Sequence, residues 1–261
     1  AKSGIDIIIS ADSPDIILKA ESKALLGRIV KFDTTYISFA EYSFLFGISN
    51  INDYVEFSRK VIQHIKLNRE NFIVTDRKIK RVSSTDYCPV KAESIIFYNT
   101  QNALAGKDFY VCQPTFSGDL AGEYDMLVYV KASRTHYAFE IKHNATFDAQ
   151  GNYVDGQDKH LMNEDLRSIS EESFGYKEQA CVLYNGKSFL APNQTIYLNI
   201  ADFLKTIDKT RDINRTMDAL TSSLPVKSKE SLTAISKTGD TPAPAPRSKP
   251  AISISKGCDR S

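Results

Sequence analysis

Apolar runs and helical stripes near the start of the chain predict a strand, a helix and a second strand. Residues 4–10 form a continuous apolar run bounded by polar residues, which predicts a buried parallel strand. A helical stripe then runs from Ser13-Pro14 to Gly27, and residues 28–32 predict the next strand. This order indicates a β-α-β unit of a parallel sheet.

Further helices and strands are predicted along the rest of the chain. The predicted helices cover residues 39–45, 54–67, 92–104, 158–172 and 201–208. The predicted strands cover residues 109–113, 123–130, 136–142, 180–184 and 195–200. Residues 69–90 predict an irregular polar segment with one short strand over 72–74, and residues 143–157 predict a long loop. The pattern predicts an α/β protein.

Two neighbouring strands in the middle of the chain carry the clearest candidate chemistry. Residues 123–130 and 136–142 are rich in aromatic and β-branched residues, and residues 131–134 predict a turn. A two- or four-residue loop would place Asp125 opposite Glu140, with Cβ atoms roughly 4.5–5.5 Å apart. This spacing suits two carboxylates that share Mg²⁺, which commonly binds one or two carboxylates together with waters and phosphate.

Lys142 completes this candidate site. It shares a strand face with Glu140 because side chains on a strand alternate with period two. Lys142 could orient or charge-stabilise an attacking water, as in a metal-dependent nuclease. A structural interpretation stays open, because Glu123 would lie opposite Lys142 and form an ordinary cross-strand ion pair. A three- or five-residue loop would shift the register and separate the set.

Composition and cysteine spacing indicate a globular protein of a reducing compartment. The hydrophobic fraction of 42% and the charged fraction of 25% are typical of soluble domains. No apolar stretch is long enough to cross a membrane, and the sequence shows no signal-peptide pattern. The four cysteines are widely spaced without a C-x-x-C pair. We therefore expect a cytoplasmic protein without a membrane partner.

Charge is distributed unevenly. Residues 225–261 carry a net charge of +4 and are rich in Pro, Ser and Lys, which predicts a disordered tail. The whole chain carries +1, so the body before the tail carries about −3. An acidic body disfavours constitutive binding to nucleic acid, for which a basic surface is expected.

Two ordered sets of motifs carry a family resemblance. The first comprises Ser10-Ala11-Asp12-Ser13, Gly27-Arg28 and residues 37–42 (ISFAEY). The second runs from Ala92-Glu93 through the two central strands to residues 183–187 (LYNGK) and 200–204 (IADFL). Together they resemble prokaryotic AAA-type ATPases that carry a C-terminal PD-(D/E)XK nuclease-like domain of unknown function.

The resemblance implies a domain organisation. Residues 1–48 would be a partial ATPase core with a parallel β-α-β unit, and residues 49–90 a short linking segment. Residues 91–224 would be the PD-(D/E)XK restriction-endonuclease-like domain, a mixed sheet flanked by helices, before the tail over residues 225–261.

The resemblance also implies roles for particular residues. Ser10 and Ser13 match the polar strand tip near the γ-phosphate of ATP, and Arg28 matches a candidate nucleotide-sensing arginine. Glu93 matches the acid on the first helix of the nuclease fold. The core residues of that fold match Asp125, Glu140 and Lys142, of which Asp125 and Glu140 would hold Mg²⁺.

One departure from the family limits the expected activity. The sequence contains no G-x-x-x-x-G-K-[ST] motif, so we expect ATP to bind only together with a missing ATPase half. The chain is expected to be the C-terminal portion of a longer ATPase, or a degenerate relative.

Three functions remain open for this portion. It could bind nucleic acid or a partner without cutting, cleave DNA as a Mg²⁺-dependent endonuclease, or act as a structural module. The partners considered are DNA, the missing ATPase portion and another protein. An exposed apolar patch around residues 36–46 would support docking to the ATPase portion.

Overall fold

The structure is a computed structural model of the 261-residue chain, and it describes residues 36–62, 64–76, 78–106, 108–142 and 158–226. Those from Ser38 onward belong to one compact unit. The predicted β-α-β unit, with Ser10, Ser13 and Arg28, lies outside the described residues, as do the predicted loop over 143–157 and nearly all of the tail.

The described part of the chain contains six helices and nine strands. The helices are α1 (Phe39–Phe46), α2 (Ile51–Val61), α3 (Ala92–Ala103), α4 (Glu164–Phe174), α5 (Ile200–Thr210) and α6 (Ile213–Thr221). The strands are β1 (His64–Thr75), β2 (Lys78–Pro89), β3 (Phe109–Gly118), β4 (Gly122–Glu123), β5 (Met126–Val130), β6 (Thr135–Lys142), β7 (Tyr176–Tyr184), β8 (Phe189–Leu190) and β9 (Ile196–Asn199). In the part of the chain that is described, no helix has the length and apolar character needed to span a membrane.

The strands form one mixed sheet in the order β2-β1-β3-β5-β6-β7-β9-β8, with β4 beside β3. Strands β3, β5 and β6 pair antiparallel as a meander, whereas β6, β7 and β9 run parallel. Parallel pairs need crossover connections, and α4 leads into β7 between two of them. The mixed sheet with flanking helices confirms the predicted α/β class.

Alternation along β6 divides the packing into two layers. Tyr137 and Phe139 face α5 and α6: the Tyr137 hydroxyl donates to Asn214 Oδ1 at 2.8 Å, and the rings of Phe139 and Phe203 lie 5.4 Å apart. Ala138 lies on the other face, within a buried cluster that includes residues of α4. Both faces are therefore covered, and polar groups on β6 lie in a buried environment.

The prediction for residues 54–90 was wrong in two respects. The helix ends at Val61, and residues 64–89 form a regular hairpin of two twelve-residue strands instead of an irregular segment. Buried positions on β1 change face along the strand: Ile65 and Leu67 are buried first, then Phe72 and Val74. This change of face breaks the simple alternation from which a strand is predicted.

Candidate catalytic site

Asp125, Glu140 and Lys142 converge at one end of the β5–β6 hairpin. The four-residue loop gives the predicted register, with Met126 opposite Phe139, so Asp125 lies just beyond the last pair. Lys142 Nζ lies 2.7 Å from Glu140 Oε2 and 3.9 Å from Asp125 Oδ2. The hairpin therefore brings together the two carboxylates and the amine that the sequence predicted.

Asp125 is held by the neighbouring strand. Its Oδ2 accepts a hydrogen bond from the Ile141 backbone N–H at 2.6 Å, and its side chain is 15% exposed. Burial raises the pKa of Asp125, and Glu123 and Glu93 raise it further; the Ile141 hydrogen bond and Lys142 oppose the rise without cancelling it. A nearby cation would relieve this unfavourable charge.

Glu140 is the more buried carboxylate. Its side chain is 3% exposed; Oε2 accepts from Lys142, whereas Oε1 has no hydrogen-bond partner among the described residues. Burial and the adjacent Asp125 together raise the pKa of Glu140 to about 7, although Lys142 favours the ionised form. Near neutral pH, Glu140 is therefore present as a mixture of the ionised and the protonated form.

Lys142 remains a cation in this environment. Burial lowers its pKa, but the hydrogen bond with Glu140 and the charges of Glu140, Asp125 and Glu93 outweigh burial, so the net shift is upward. The site therefore contains two carboxylates with raised pKa values and one ammonium group between them.

Glu93 and Glu123 bring two more carboxylates toward Asp125. Glu93 lies in the first turn of α3, and all three line a cavity of about 410 Å³. The predicted pairing of Glu123 with Lys142 was wrong: Glu123 belongs to β4 and pairs with Thr115 of β3. Both β4 and β5 pair with β3, but pairing with β6 begins only at Met126, so Glu123 lies before the part of the predicted strand that faces β6.

The same cavity contains polar residues that the sequence had not identified. Arg69 of β1, Lys91 before α3 and Gln113 of β3 lie on its wall. Arg69 could have been found only by predicting the β1–β2 hairpin. In the structure, strand β1 lies beside β3, and Arg69 pairs there with Gln113.

The carboxylates fit a cation that prefers oxygen ligands, such as Mg²⁺ or Mn²⁺, better than a metal that prefers nitrogen or sulfur. No group of three or more His, Cys, Asp or Glu side chains in the described ranges is placed to hold an ion. Mg²⁺ requires fewer protein ligands, because one or two carboxylates suffice when waters and phosphate complete its shell. Glu140 Oε1 lies beside Asp125 and accepts no hydrogen bond from the described residues, which is consistent with such an ion.

Comparisons with known proteins assign neither a family nor a function to this chain. Searches against protein-family models, curated proteins and solved structures found no match to this chain.

Proposed function

We propose that this chain is a Mg²⁺-dependent DNA endonuclease with a PD-(D/E)XK-like fold. The observation that carries the proposal is the convergence of Asp125, Glu140 and Lys142, with one buried Glu140 oxygen that accepts no hydrogen bond from the described residues. A buried polar atom without a partner is costly, which favours a bound group at this position.

The order of elements around the site supports this fold. A helix (α3) precedes an antiparallel meander (β3, β5 and β6), and a second helix (α4) leads into a parallel strand (β7). The acid precedes the second meander strand, and Glu140-Ile141-Lys142 ends the third. These positions agree with the resemblance drawn from the sequence.

Each residue has a distinct role in the proposed reaction. Asp125 and Glu140 would hold Mg²⁺, with Glu93 supporting their negative charge. The ion would supply Lewis-acid polarisation of the phosphoryl oxygen and a more acidic water. Lys142 Nζ lies at hydrogen-bonding distance from Glu140, and from there it would orient the attacking water or stabilise charge on the phosphate.

The proposed reaction is hydrolysis of a phosphodiester. A water oxygen forms a bond to phosphorus, and one phosphorus–oxygen ester bond breaks. The leaving oxygen gains a proton as the attacking water loses one. The products are a phosphomonoester and an alcohol, which are the new ends of the cut strand.

Cleavage of plasmid and single-stranded DNA with added Mg²⁺ or Mn²⁺ tests this proposal. The wild type should cut, and Asp125→Ala and Lys142→Ala should not. Arg215→Ala is a suitable control, because Arg215 is exposed on α6 and does not line the cavity. If the folded wild type does not cut, the Lys142–Glu140 ion pair is better explained as a structural link within the hairpin.

The resemblance to AAA-type ATPases also supports a proposal about the longer protein to which this chain would belong. We propose that the chain works as the C-terminal part of an AAA-type ATPase. Apolar side chains exposed on α1 favour docking of another protein part, with Phe44 87% and Leu45 63% exposed. Sequencing of the coding region upstream tests this: a phosphate-binding loop in the same reading frame is expected, and its absence would contradict the proposal.

A further inference from the structure

The cavity beside Asp125 contains positive charges that the proposed hydrolysis does not use. Arg69 reaches its wall from the β1–β2 hairpin, and Lys91 from the residue before α3. Three carboxylates line the same cavity: Glu93, Glu123 and Asp125. A polyanion entering this space would need cationic contacts to offset them.

Among the described residues, two partly exposed groups contact the Arg69 guanidinium. Its Nε lies 3.2 Å from Asp86 Oδ2 without a well-aligned hydrogen bond in the described part, and its Nη2 donates to Cys88 Sγ at 3.4 Å. The side chains of Arg69 and Asp86 are 26% and 49% exposed. Asp86 is half exposed and leaves the buried Arg69 Nε without a hydrogen bond, so an incoming anion that satisfies Nε can replace it.

The second ion-paired arginine of this hairpin, Arg81, has a buried partner, because the Glu70 side chain is 1% exposed. Arg81 Nε lies 2.8 Å from Glu70 Oε2, and its guanidinium lies 4.6 Å from the centre of the Phe174 ring. Arg81 therefore stabilises the fold through a buried partner, whereas Arg69 lines the cavity and has a partner that is half exposed. An arginine suits phosphate because its guanidinium donates two parallel hydrogen bonds.

We propose that Arg69, assisted by Lys91, binds a backbone phosphate of a DNA strand next to the phosphodiester that is cut. Asp86 competes for Arg69 and holds it while the cavity is empty of DNA. Arg69 is thus a substrate-positioning residue contributed by the hairpin. This inference rests on the proposed nuclease function and adds the contact that orients the strand.

Fluorescence anisotropy with a labelled single-stranded oligonucleotide tests the inference, in Ca²⁺ and separately in EDTA. Arg69→Ala should weaken binding by about tenfold, as expected for a lost charge-assisted contact, and should reduce the salt dependence. Asp86→Asn should tighten binding by about threefold because it releases Arg69. Arg215→Ala should change binding by less than about twofold, since surface charges away from a contact act weakly.

Arg69→Ala and Asp86→Asn are expected to change DNA affinity in opposite directions, which makes the test specific. Wild-type affinity in folded Arg69→Ala, or weaker binding by Asp86→Asn, would overturn the inference. Inorganic phosphate is added as a competitor: displacement of DNA only at high excess supports a strand site, whereas displacement at equal phosphate concentration would overturn it.

Cleavage assays on the same variants separate this inference from the proposed function. DNA binding that depends on Arg69 without cleavage by the wild type would support the strand contact and contradict the nuclease. Cleavage by the wild type with unchanged KM in Arg69→Ala would support the nuclease and overturn the strand contact. A raised KM with little change in kcat is the expected result.

Discussion

Two glutamates are buried in the same sheet, and their surroundings differ sharply. Glu70 of β1 accepts hydrogen bonds from Arg81 Nε at 2.8 Å, from the Ser83 hydroxyl at 2.7 Å and from the Tyr110 hydroxyl at 2.7 Å. Glu140 of β6 accepts one from Lys142, and its other oxygen has no partner in the residues described.

The difference in hydrogen bonding reverses the direction of the pKa shift. Burial raises the pKa of both carboxyls. At Glu70 the three hydrogen bonds and the charge of Arg81 outweigh burial, so its pKa is lowered. At Glu140 the carboxylate of Asp125 adds to burial, and the pKa rises to about 7. Glu70 is thus satisfied by the fold, whereas one Glu140 oxygen lacks a donor among the described residues, as the proposed Mg²⁺ site requires.

The largest expected effect separates the two glutamates by activity. Glu140→Gln and Lys142→Ala should reduce metal-dependent cleavage by at least about a hundredfold, because they remove charge at the reacting centre. Glu70→Gln should keep the wild-type rate per folded molecule. Rates are measured on plasmid DNA and divided by the folded fraction. Equal losses from Glu70→Gln and Glu140→Gln would remove the distinction.

The next effect separates them by stability. Glu70→Gln should lower the free energy of unfolding by about 2 kcal/mol, because partly buried Arg81 loses its charged partner. Urea unfolding at neutral pH measures this change, with Ser83→Ala as a milder control that removes one donor. An unchanged midpoint for Glu70→Gln would show that this network does not stabilise the hairpin.

Glu140→Gln should act in the opposite direction. Without metal and above neutral pH, it should raise the free energy of unfolding by of the order of 1 kcal/mol, because it removes a buried carboxylate beside Asp125. The gain should shrink in mildly acidic buffer, where wild-type Glu140 is already protonated. Urea unfolding in EDTA at both pH values measures it, and a loss of stability above neutral pH would contradict the account.

The smallest effect is the acid dependence at Glu70. A carboxyl with a lowered folded pKa stabilises the protein above its ordinary pKa of 4.5, and this contribution is lost as pH falls through the folded value. The stability difference between wild type and Glu70→Gln should therefore decrease below about pH 4. Unfolding curves across this range measure it, and a constant difference would exclude the Glu70 charge as its source.

The sequence predicted the site better than it predicted the surrounding cavity. The register of Asp125 and Glu140 follows from a short turn and alternating strands, which are local features. The pairing of Glu123 depends on where along residues 123–130 the second neighbour, β6, begins to pair, and that point is set by tertiary contacts.

The role of the β1–β2 hairpin could not be predicted because its apolar positions change face. Ile65 and Leu67 are buried before the change, and Phe72 packs against Phe116 after it. The edge strand β2 is mostly exposed and its sequence is polar, so its pattern resembles that of an irregular segment. Arg69 was missed for this reason, since its place in the cavity depends on the hairpin.

Calorimetric titration of Mn²⁺ into the intact chain tests the central claim most directly, with Asp125→Asn as the comparison. The account predicts one bound ion, release of a proton, and an affinity that rises as pH increases through about 7, where Glu140 ionises. Asp125→Asn should abolish the binding heat while remaining folded. No binding heat from folded wild type, or equal binding by Asp125→Asn, would contradict a metal site at this carboxylate pair.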